Sequence, residues 1–252
     1  MDDSRPVRPD RLSALVSRFE MHVGAEPAGA ANLVIGGDAA AGTVSHVVFH
    51  PGARPLVDPP LSGETLFRAL AHWGGKTNPL VSALPERIEF AVAPGDEIEG
   101  LANLLASESR ERRCGSGAVI DRLGEVLVVR LLRELLRAGT TEVGLLAGLA
   151  DPRLSPAIVA MHDRPDEAWR VERLAEVAGL SGSRFSERFA RTVGTTPMSY
   201  LRHWRLVLAR QDVERGERIQ AIAARYGYGS TEALTRAFKR VHGEKPTAFR
   251  SG

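Results

Sequence analysis

Two stretches of similar sequence decide the fold: LAEVAGLSGSRFSERFARTVGTTP (residues 174–197) and IAARYGYGSTEALTRAFKRVHGEKP (residues 222–246). Gly179 of the first stretch matches Gly227 of the second at an offset of 48 residues, whereas Phe189 matches Phe238 at an offset of 49. The second copy therefore has one extra residue in its turn. Each copy predicts a helix, a short turn that contains glycine, and a second helix, which is the pattern of a helix-turn-helix.

The spacing of apolar residues predicts which side of these helices is buried. Apolar residues recur about every four positions in the second helix of each copy, residues 181–193 and 230–242. Ser181 and Ser230 stand where helix N-caps are expected. The residues predicted to face the core are Leu174, Val177, Ala178, Phe185, Phe189 and Val193 in the first copy, and Leu234, Phe238 and Val241 in the second.

The opposite side of each second helix is polar. Residues near the N-terminus of a recognition helix are the ones that reach base edges in the major groove. The candidate DNA-binding residues are therefore Ser183, Arg184, Ser186, Glu187, Arg188, Thr231, Glu232, Thr235, Arg236 and Lys239. A merely solvated surface is the alternative, in which Arg236 pairs with Glu232 one turn earlier and Arg184 pairs with Glu187.

A connecting helix is predicted between the two copies, from Pro197 to about residue 215. Its apolar stripe consists of Met198, Leu201, Trp204 and Leu208. About 17 helical residues span about 26 Å, a length that can hold both recognition helices against one face of a duplex, whose successive major-groove segments lie about 34 Å apart. Three arginines on this helix are candidates for phosphate contacts: Arg202, Arg205 and Arg210.

The two halves of the chain carry opposite charge. Residues 1–150 have a net charge of −4 and residues 151–252 a net charge of +6, so we expect two domains, of which the second meets a polyanion. The single cysteine, Cys114, excludes an intramolecular disulfide and a cysteine-rich zinc site. It fits a reducing, cytoplasmic compartment. There is no run of 18 apolar residues, so we expect no contact with a membrane.

Three motifs carry a resemblance to a known family. They are L-A-x-x-A-G-L-S-x-S-x-F-S-x-x-F (174–189), P-M-S-Y-L-R-x-W-R-L (197–206) and I-x-x-I-A-x-x-Y-G-Y-x-S-x-x-x-L-T-R-A-F-K-R-x-x-G-x-x-P-x-x-F-R (219–250). In one unbroken register they resemble the DNA-binding domain of the AraC/XylS family of bacterial transcription regulators.

The resemblance implies a sequence-specific promoter binder that inserts two recognition helices into double-stranded DNA. It also implies contact with RNA polymerase and no cofactor. Glu187 stands where the family often has a basic residue. By motif position, the base-facing residues are Ser183, Ser186 and Glu187 in the first copy, and Thr231, Glu232 and Arg236 in the second.

The first half of the chain predicts a small α+β domain, followed by the all-α double helix-turn-helix domain. Short strands are expected at residues 32–35, 43–49 and 88–92, and a helix at residues 64–73. Residues 12–23 fit either a helix or a strand that begins near Phe19.

Two longer helices are expected after this region. Asp96 is the predicted N-cap of the first. The second, residues 115–138, is apolar over a wide arc, which requires cover on two sides. Either the helix is buried within its own domain, or one side pairs with a second chain through residues 117–138 to form a homodimer.

Residues 114–133 and 144–154 resemble the helical bridge of AraC/XylS regulators that carry a cupin domain. The resemblance implies a regulatory domain, here a reduced cupin, which responds to a small-molecule or redox effector. His46, His50 and His72 raise the alternative of a metal-dependent cupin-like enzyme fused to a DNA-binding module. A metal needs three or more ligands and no acid, base or nucleophile accompanies them, so we expect no metal and no enzyme.

Cys114 is the candidate redox site, because the neighbouring arginines and the start of a helix both lower the pKa of a thiol. An incidental thiol is the alternative.

Overall fold

The computed structural model describes residues 12–19, 21–25, 30–52, 63–74, 78–139 and 143–250. None of the helices in these ranges has both the length and the apolar character needed to cross a membrane. The chain divides into two compact units, formed mainly by residues 16–140 and 141–252. The elements are α1 (Ser13–Arg18), β1 (His22–Ala25), β2 (Leu33–Asp38), β3 (Thr43–Phe49), β4 (Glu64–His72), α2 (Pro79–Ala83), β5 (Ile88–Ala91), α3 (Glu97–Glu111), α4 (Ser116–Ala138), α5 (Leu145–Ala150), α6 (Ser155–Asp163), α7 (Val171–Val177), α8 (Gly182–Val193), α9 (Pro197–Glu214), α10 (Ile219–Arg225), α11 (Thr231–His242) and a final 3₁₀ turn (Pro246–Phe249).

The N-terminal unit is built on an antiparallel sheet with the strand order β1-β4-β2-β3-β5. The three predicted strands are present, and residues 12–23 contain both a helix, α1, and a strand, β1. The helix predicted at residues 64–73 is wrong, because this segment is β4. Phe67, Ala69 and Ala71 are buried at alternate positions, and pairing with β1 and β2 on either side overrides the local spacing.

Two helices pack against this sheet. Asp96 caps α3 by accepting a hydrogen bond from the backbone N–H of Ile98, as predicted. Asp121 of α4 accepts a hydrogen bond of 2.8 Å from the backbone N–H of Val23 in β1. Gly124 allows this approach, since a Cβ at that position would lie 2.4 Å from Val23 Cγ1. These contacts hold α4 against the edge strand.

The predicted helix at residues 115–138 corresponds to α4 and has two different sides. Ile120, Leu127 and Leu131 are buried. Val119 and Val126 remain 40% and 44% exposed within this single chain. Most of the wide apolar arc is thus covered inside the N-terminal unit, and a narrower apolar strip remains open to solvent.

The C-terminal unit contains the two predicted helix-turn-helix copies. The first (α7 and α8) and the second (α10 and α11) each pair a helix of seven residues with a helix of twelve. The second has the longer turn, in agreement with the extra residue in the sequence. Connector helix α9 lies between them along the chain, and its buried residues include Leu201, Trp204 and Leu208 of the predicted stripe.

Two predicted core residues are exposed. Val177 and Val241 are both 38% exposed. In α11 the buried stripe, spaced by four residues, continues to His242. The rings of His242 and Phe238 are tilted against each other, with 4.4 Å between their centroids. The Nε2 atom of His242 lies 3.0 Å from the carbonyl oxygen of Leu206. The half-buried imidazole of His242 therefore completes the core of this copy, whereas Val241 was predicted to do so.

Candidate nucleic-acid interface

The first recognition helix, α8, is seated by an aromatic core. Phe185 and Phe189 are fully buried, and a glycine with φ of +81° ends the helix at position 194. Ser181 occupies the N-cap position, but its side chain makes no capping hydrogen bond. The cap there is weaker than predicted.

The outer side of α8 presents most of its predicted residues to solvent. Ser183, Arg184 and Glu187 are exposed, and Ser186 is half-buried. These four side chains form one polar face along the first two turns of the helix. Within the part of the chain that the structure describes, no ion pair forms between Arg184 and Glu187, so the guanidinium is available to a ligand.

Arg188 is placed differently from its neighbours on α8. Its Nε atom donates a hydrogen bond of 2.7 Å to Asp151, which precedes α6. The same carboxylate accepts hydrogen bonds from the backbone N–H groups of Arg153 and Leu154. Burial raises the pKa of Asp151, but Arg188 and these N–H groups outweigh burial and hold the pKa below its usual value. Arg188 thus ties α8 to α6 in this structure.

The second recognition helix, α11, is capped as the sequence predicts. Ser230 Oγ accepts a hydrogen bond from the backbone N–H of Ala233 at 3.1 Å. The backbone N–H of Glu232, together with Ser230 and Thr231, holds the pKa of the Glu232 carboxyl below its usual value. Glu232 therefore stays ionised at the N-terminus of the helix, where the helix dipole favours a negative charge.

Arg236 is exposed one turn further along α11, beside half-buried Thr235. The alternative pairing with Glu232 is not formed, since no ion pair within 4.0 Å joins these two described residues. Lys239 and Arg240 extend the basic surface into the last turn. The exposed face of α11 therefore presents the guanidinium of Arg236 beside the hydroxyl of Thr235. The positive charges of Lys239 and Arg240 follow in the last turn.

The three arginines of the connector helix α9 have different surroundings. Arg202 is exposed. Arg210 bonds to Glu214 at 2.8 Å and lies over the ring of Phe249. Arg205 is half-buried and donates hydrogen bonds to two backbone carbonyls. Of the three predicted phosphate contacts, Arg202 is the one placed to make it.

Buried polar contacts join connector helix α9 to α6 and to the second helix-turn-helix copy, and the sequence analysis did not identify them. His162 Nε2 lies 2.6 Å from the hydroxyl of Tyr200, on the side of the first copy. On the side of the second, Asp212 accepts hydrogen bonds from Tyr226 and Arg225, each at 2.8 Å. A carboxylate within an otherwise apolar helix face was the signal in the sequence, because buried charges require partners.

The histidines of the N-terminal unit do not assemble. His46 lies in β3 and His50 follows it, so four extended residues, about 13 Å, separate their backbones. His72 ends β4, and β2 lies between β4 and β3. In the described ranges, no three His, Cys, Asp or Glu side chains are grouped so that they could hold a metal ion. The three histidines that raised the alternative of a metal-dependent enzyme are therefore not brought together.

Burial determines the protonation state of the His46 and His50 rings. It lowers the pKa of His46 and of His50, and Arg87 lowers both further. The His46 ring lies directly against Gly36 of the neighbouring strand, where a Cβ would come within 2.1 Å of Nε2. Both imidazoles are therefore neutral at pH 7 and act as packing groups.

Cys114 lies in the turn between α3 and α4 and is exposed. Arg113 lies beside it in sequence and pairs with Glu111 and Glu108. The predicted redox role of Cys114 stays a prediction.

Two family models and several known proteins are similar to this chain. Residues 174–252 match the family model of a helix-turn-helix domain, and residues 14–137 match the model of a cupin. An AraC-like transcription regulator of Streptomyces lividans is 36% identical over 157 residues, which cover 62% of this chain and 52% of the relative. The chain thus carries a cupin domain and a helix-turn-helix domain, and its relatives are named AraC-like transcription regulators.

Another relative of this chain carries a similar name. The HTH-type transcriptional regulator AlkR of Acinetobacter baylyi is 32% identical over 179 residues, which cover 69% of this chain and 58% of AlkR. The chain spans about half the length of the curated relatives it matches.

Solved structures of other proteins are also similar to this chain. The DNA-binding domain of AdpA, in complex with a target DNA, is 30% identical; the match covers 40% of this chain and 90% of that one, with a TM-score of 0.36. ToxT from Vibrio cholerae is 9% identical, over 92% of this chain and 97% of ToxT, with a TM-score of 0.44.

Proposed function

We propose that this chain is a sequence-specific DNA-binding transcription regulator. One observation carries the proposal: two helix-turn-helix copies of equal helix lengths are fixed to one connector helix, and each has an exposed polar face with an available arginine. Arg184 and Arg236 are these arginines. Arginine binds guanine through its O6 and N7 atoms, the commonest specific contact in the major groove. The names of the relatives support the same function.

The surrounding cations supply affinity in this proposal. Arg202, Lys239 and Arg240 are exposed, and each can replace a counterion at a phosphate. Binding that relies on such contacts weakens steeply as the salt concentration rises. A regulator of this kind works in the cytoplasm, where it meets the chromosome and RNA polymerase.

The N-terminal unit is the regulatory and dimerising part in this proposal. The open apolar strip on α4, which includes Val119 and Val126, fits a second copy of the chain within the predicted range 117–138. Cys114 is the candidate redox input. Replacement by serine should abolish any effect of peroxide on DNA binding; an equal response of the Cys114→Ser variant would contradict that role.

Selection from a random DNA pool tests the function. We expect the full-length protein to enrich one sequence, and a variant that carries Arg184→Glu and Arg236→Glu to enrich none. The matched control carries Arg110→Glu and Arg112→Glu, which reverse the charge of two exposed residues at the end of α3, outside the proposed dimer interface. The control should enrich the same sequence as wild type. If the doubly substituted recognition variant enriches it too, the reading faces are assigned wrongly.

A further inference from the structure

Arg205 occupies a place on connector helix α9 that phosphate binding does not explain. Its Nε atom donates a hydrogen bond of 2.6 Å to the carbonyl oxygen of Pro165, and a terminal nitrogen donates one of 2.7 Å to the carbonyl oxygen of Glu167. The side chain is half-buried. A guanidinium that already binds two carbonyls, and is partly screened from solvent, is poorly placed to reach DNA.

The segment that Arg205 holds is itself stiff. It joins α6 to α7 of the first helix-turn-helix. Glu167 pairs with Arg164 at 3.0 Å and with Arg173 at 2.7 Å, and both arginines lie over the ring of Trp169. A rigid partner means that the two hydrogen bonds of Arg205 constrain the whole first copy, not merely a loose loop.

The other side of Arg205 meets the second helix-turn-helix. Its remaining terminal nitrogen lies 3.7 Å from where a Cβ would stand on Gly227, in the turn between α10 and α11. Tyr228 is the next residue of that turn, and the charges of Arg202 and Arg205 both act on it. The Tyr228 hydroxyl is buried and lacks a hydrogen-bond partner among the residues that the structure describes. One side chain thus touches a fixed segment of the first copy and the turn of the second.

We propose that Arg205 is a positioning residue that sets the angle between the two recognition helices, and so the spacing of the two DNA segments that the protein accepts. The inference rests on the proposed function, since it concerns the orientation of the two recognition helices on DNA. The planar fork of arginine suits the role, because its donors diverge in fixed directions toward two acceptors. Lysine offers one rotatable ammonium and cannot reproduce that geometry.

A spacing series tests this inference. The site selected by the full-length protein is resynthesised with one base pair inserted or deleted between its two segments. Each change rotates one segment against the other by about 35° and shifts it by about 3.4 Å. Wild type should lose about tenfold or more in affinity at either altered spacing, as for a mismatched base pair. For Arg205→Ala the loss should shrink to about threefold or less, while binding to the original site weakens.

Two further variants separate positioning from phosphate binding. Arg205→Lys keeps the charge, and we expect it to tolerate altered spacing as the alanine variant does. Arg202→Ala is the matched control, an exposed arginine three residues earlier on α9. It should weaken all spacings by one factor and reduce the salt dependence. If Arg205→Ala behaves like Arg202→Ala and lysine restores binding, Arg205 is a phosphate contact and the inference is wrong.

A distance measurement removes the dependence on DNA. Spin labels at Arg191→Cys and Arg240→Cys, two exposed positions on α8 and α11, report the distance between the recognition helices in the full chain with Cys114→Ser. The distribution should broaden in both Arg205 variants, and an unchanged distribution would refute the inference. Failure of wild type to select a two-segment site would instead refute the proposed function, whatever the distances show.

Discussion

At the scale of single residues, charged side chains of the same helix face do different work. Arg184 is exposed on α8 without an ion pair to Glu187, whereas Arg188, four residues later, is bound to Asp151. The sequence gives both residues the same prediction, because helix spacing places them on one side. The partner of Arg188 lies 37 residues away, and spacing within a helix cannot reveal a contact of that kind.

Replacement of Arg236 and replacement of Lys239 should affect DNA binding in different ways. Arg236→Ala should cost about 1–3 kcal/mol of discrimination at one base position. Lys239→Ala should weaken binding to all sequences about equally and lower the slope of affinity against salt by about one. Titration of single-base variants of the selected site, at several salt concentrations, measures both. A uniform loss in the Arg236 variant would assign it to phosphate.

The buried histidines predict a dependence of stability on pH. Burial lowers the pKa of His46 and His50 in the folded state below the ordinary value of 6.5. Arg87 lowers both, while Glu89 and Glu86 oppose it at His46 and His50 respectively. The unfolded chain therefore binds protons first as the pH falls below about 6.5, and this proton uptake favours unfolding.

Urea unfolding at pH values from about 7.5 to about 5.5 measures this effect. The free energy of unfolding should fall across that range in wild type, and fall less in the variant with His46→Gln and His50→Gln. His72→Gln is the control, since that side chain is exposed at the end of β4, and it should behave as wild type. An equal fall in the double variant would assign the effect to other groups, among them His203 and His242, whose pKa burial also lowers.

At the scale of elements, the sequence predicts helices well and the sheet less completely. The connector helix and the second helix of each copy begin and end within one or two residues of their predictions, because glycines and prolines mark the ends. Strand β4 was predicted as a helix, since its neighbours β1 and β2 are distant in sequence. The contacts that join both copies to α9 are also long-range, so local patterns did not reveal them.

The Asp212 cluster should be the most sensitive polar point in the second helix-turn-helix. Asp212→Ala removes a carboxylate that is 5% exposed and leaves Arg225 and Tyr226 without their shared acceptor. Loss of one partner of a buried pair typically costs about 3–5 kcal/mol. We expect the low end, because Arg225 keeps Glu217 at 2.7 Å.

Chemical unfolding followed by the circular dichroism of the helices tests this cost. Glu214→Ala is the control on the same helix, since Glu214 makes an exposed pair with Arg210 one turn earlier. Its loss should cost no more than about 0.5 kcal/mol. Equal effects of the two substitutions would show that the Asp212 cluster is not a distinct anchor.

Close approach of α4 to β1 gives a second test on this scale. Gly124→Ala would place a methyl group 2.4 Å from Val23 Cγ1, and overpacking of this kind typically costs about 1–3 kcal/mol. Gly117→Ala on the same helix has open space around it, and should be neutral or stabilise by up to about 1 kcal/mol. Thermal unfolding of both variants decides, and equal melting temperatures would contradict the packing argument.

At the scale of the whole molecule, a cupin-like unit is followed along the chain by a basic unit that carries two helix-turn-helix copies. The charge difference between the halves, −4 against +6, anticipates this division of roles. The N-terminal unit leaves a strip of apolar surface on α4, and exposed apolar strips are typical of interaction surfaces. A second copy of the chain is the partner that we propose for it.

Sedimentation of the full chain tests the dimer. We expect wild type to sediment as a dimer and Val126→Glu to sediment as a monomer, because a carboxylate without a partner is costly to bury. Val143→Glu is the control, since Val143 is 60% exposed and lies outside the predicted range. A wild-type monomer, or a dimer that survives Val126→Glu, would remove α4 as the interface.

Separate anchoring of the two helix-turn-helix copies bears on how such a protein can change its target. The first copy packs on α9 through the rings of Phe189 and Tyr200, and the second is held to α9 through Asp212. The two reading faces share no bonded partner among the described residues. Effects of substitutions at distant, independent sites add. Under the proposed function, mutation can therefore change one half of the recognised sequence while the other half still binds its DNA segment, and an engineer can do the same.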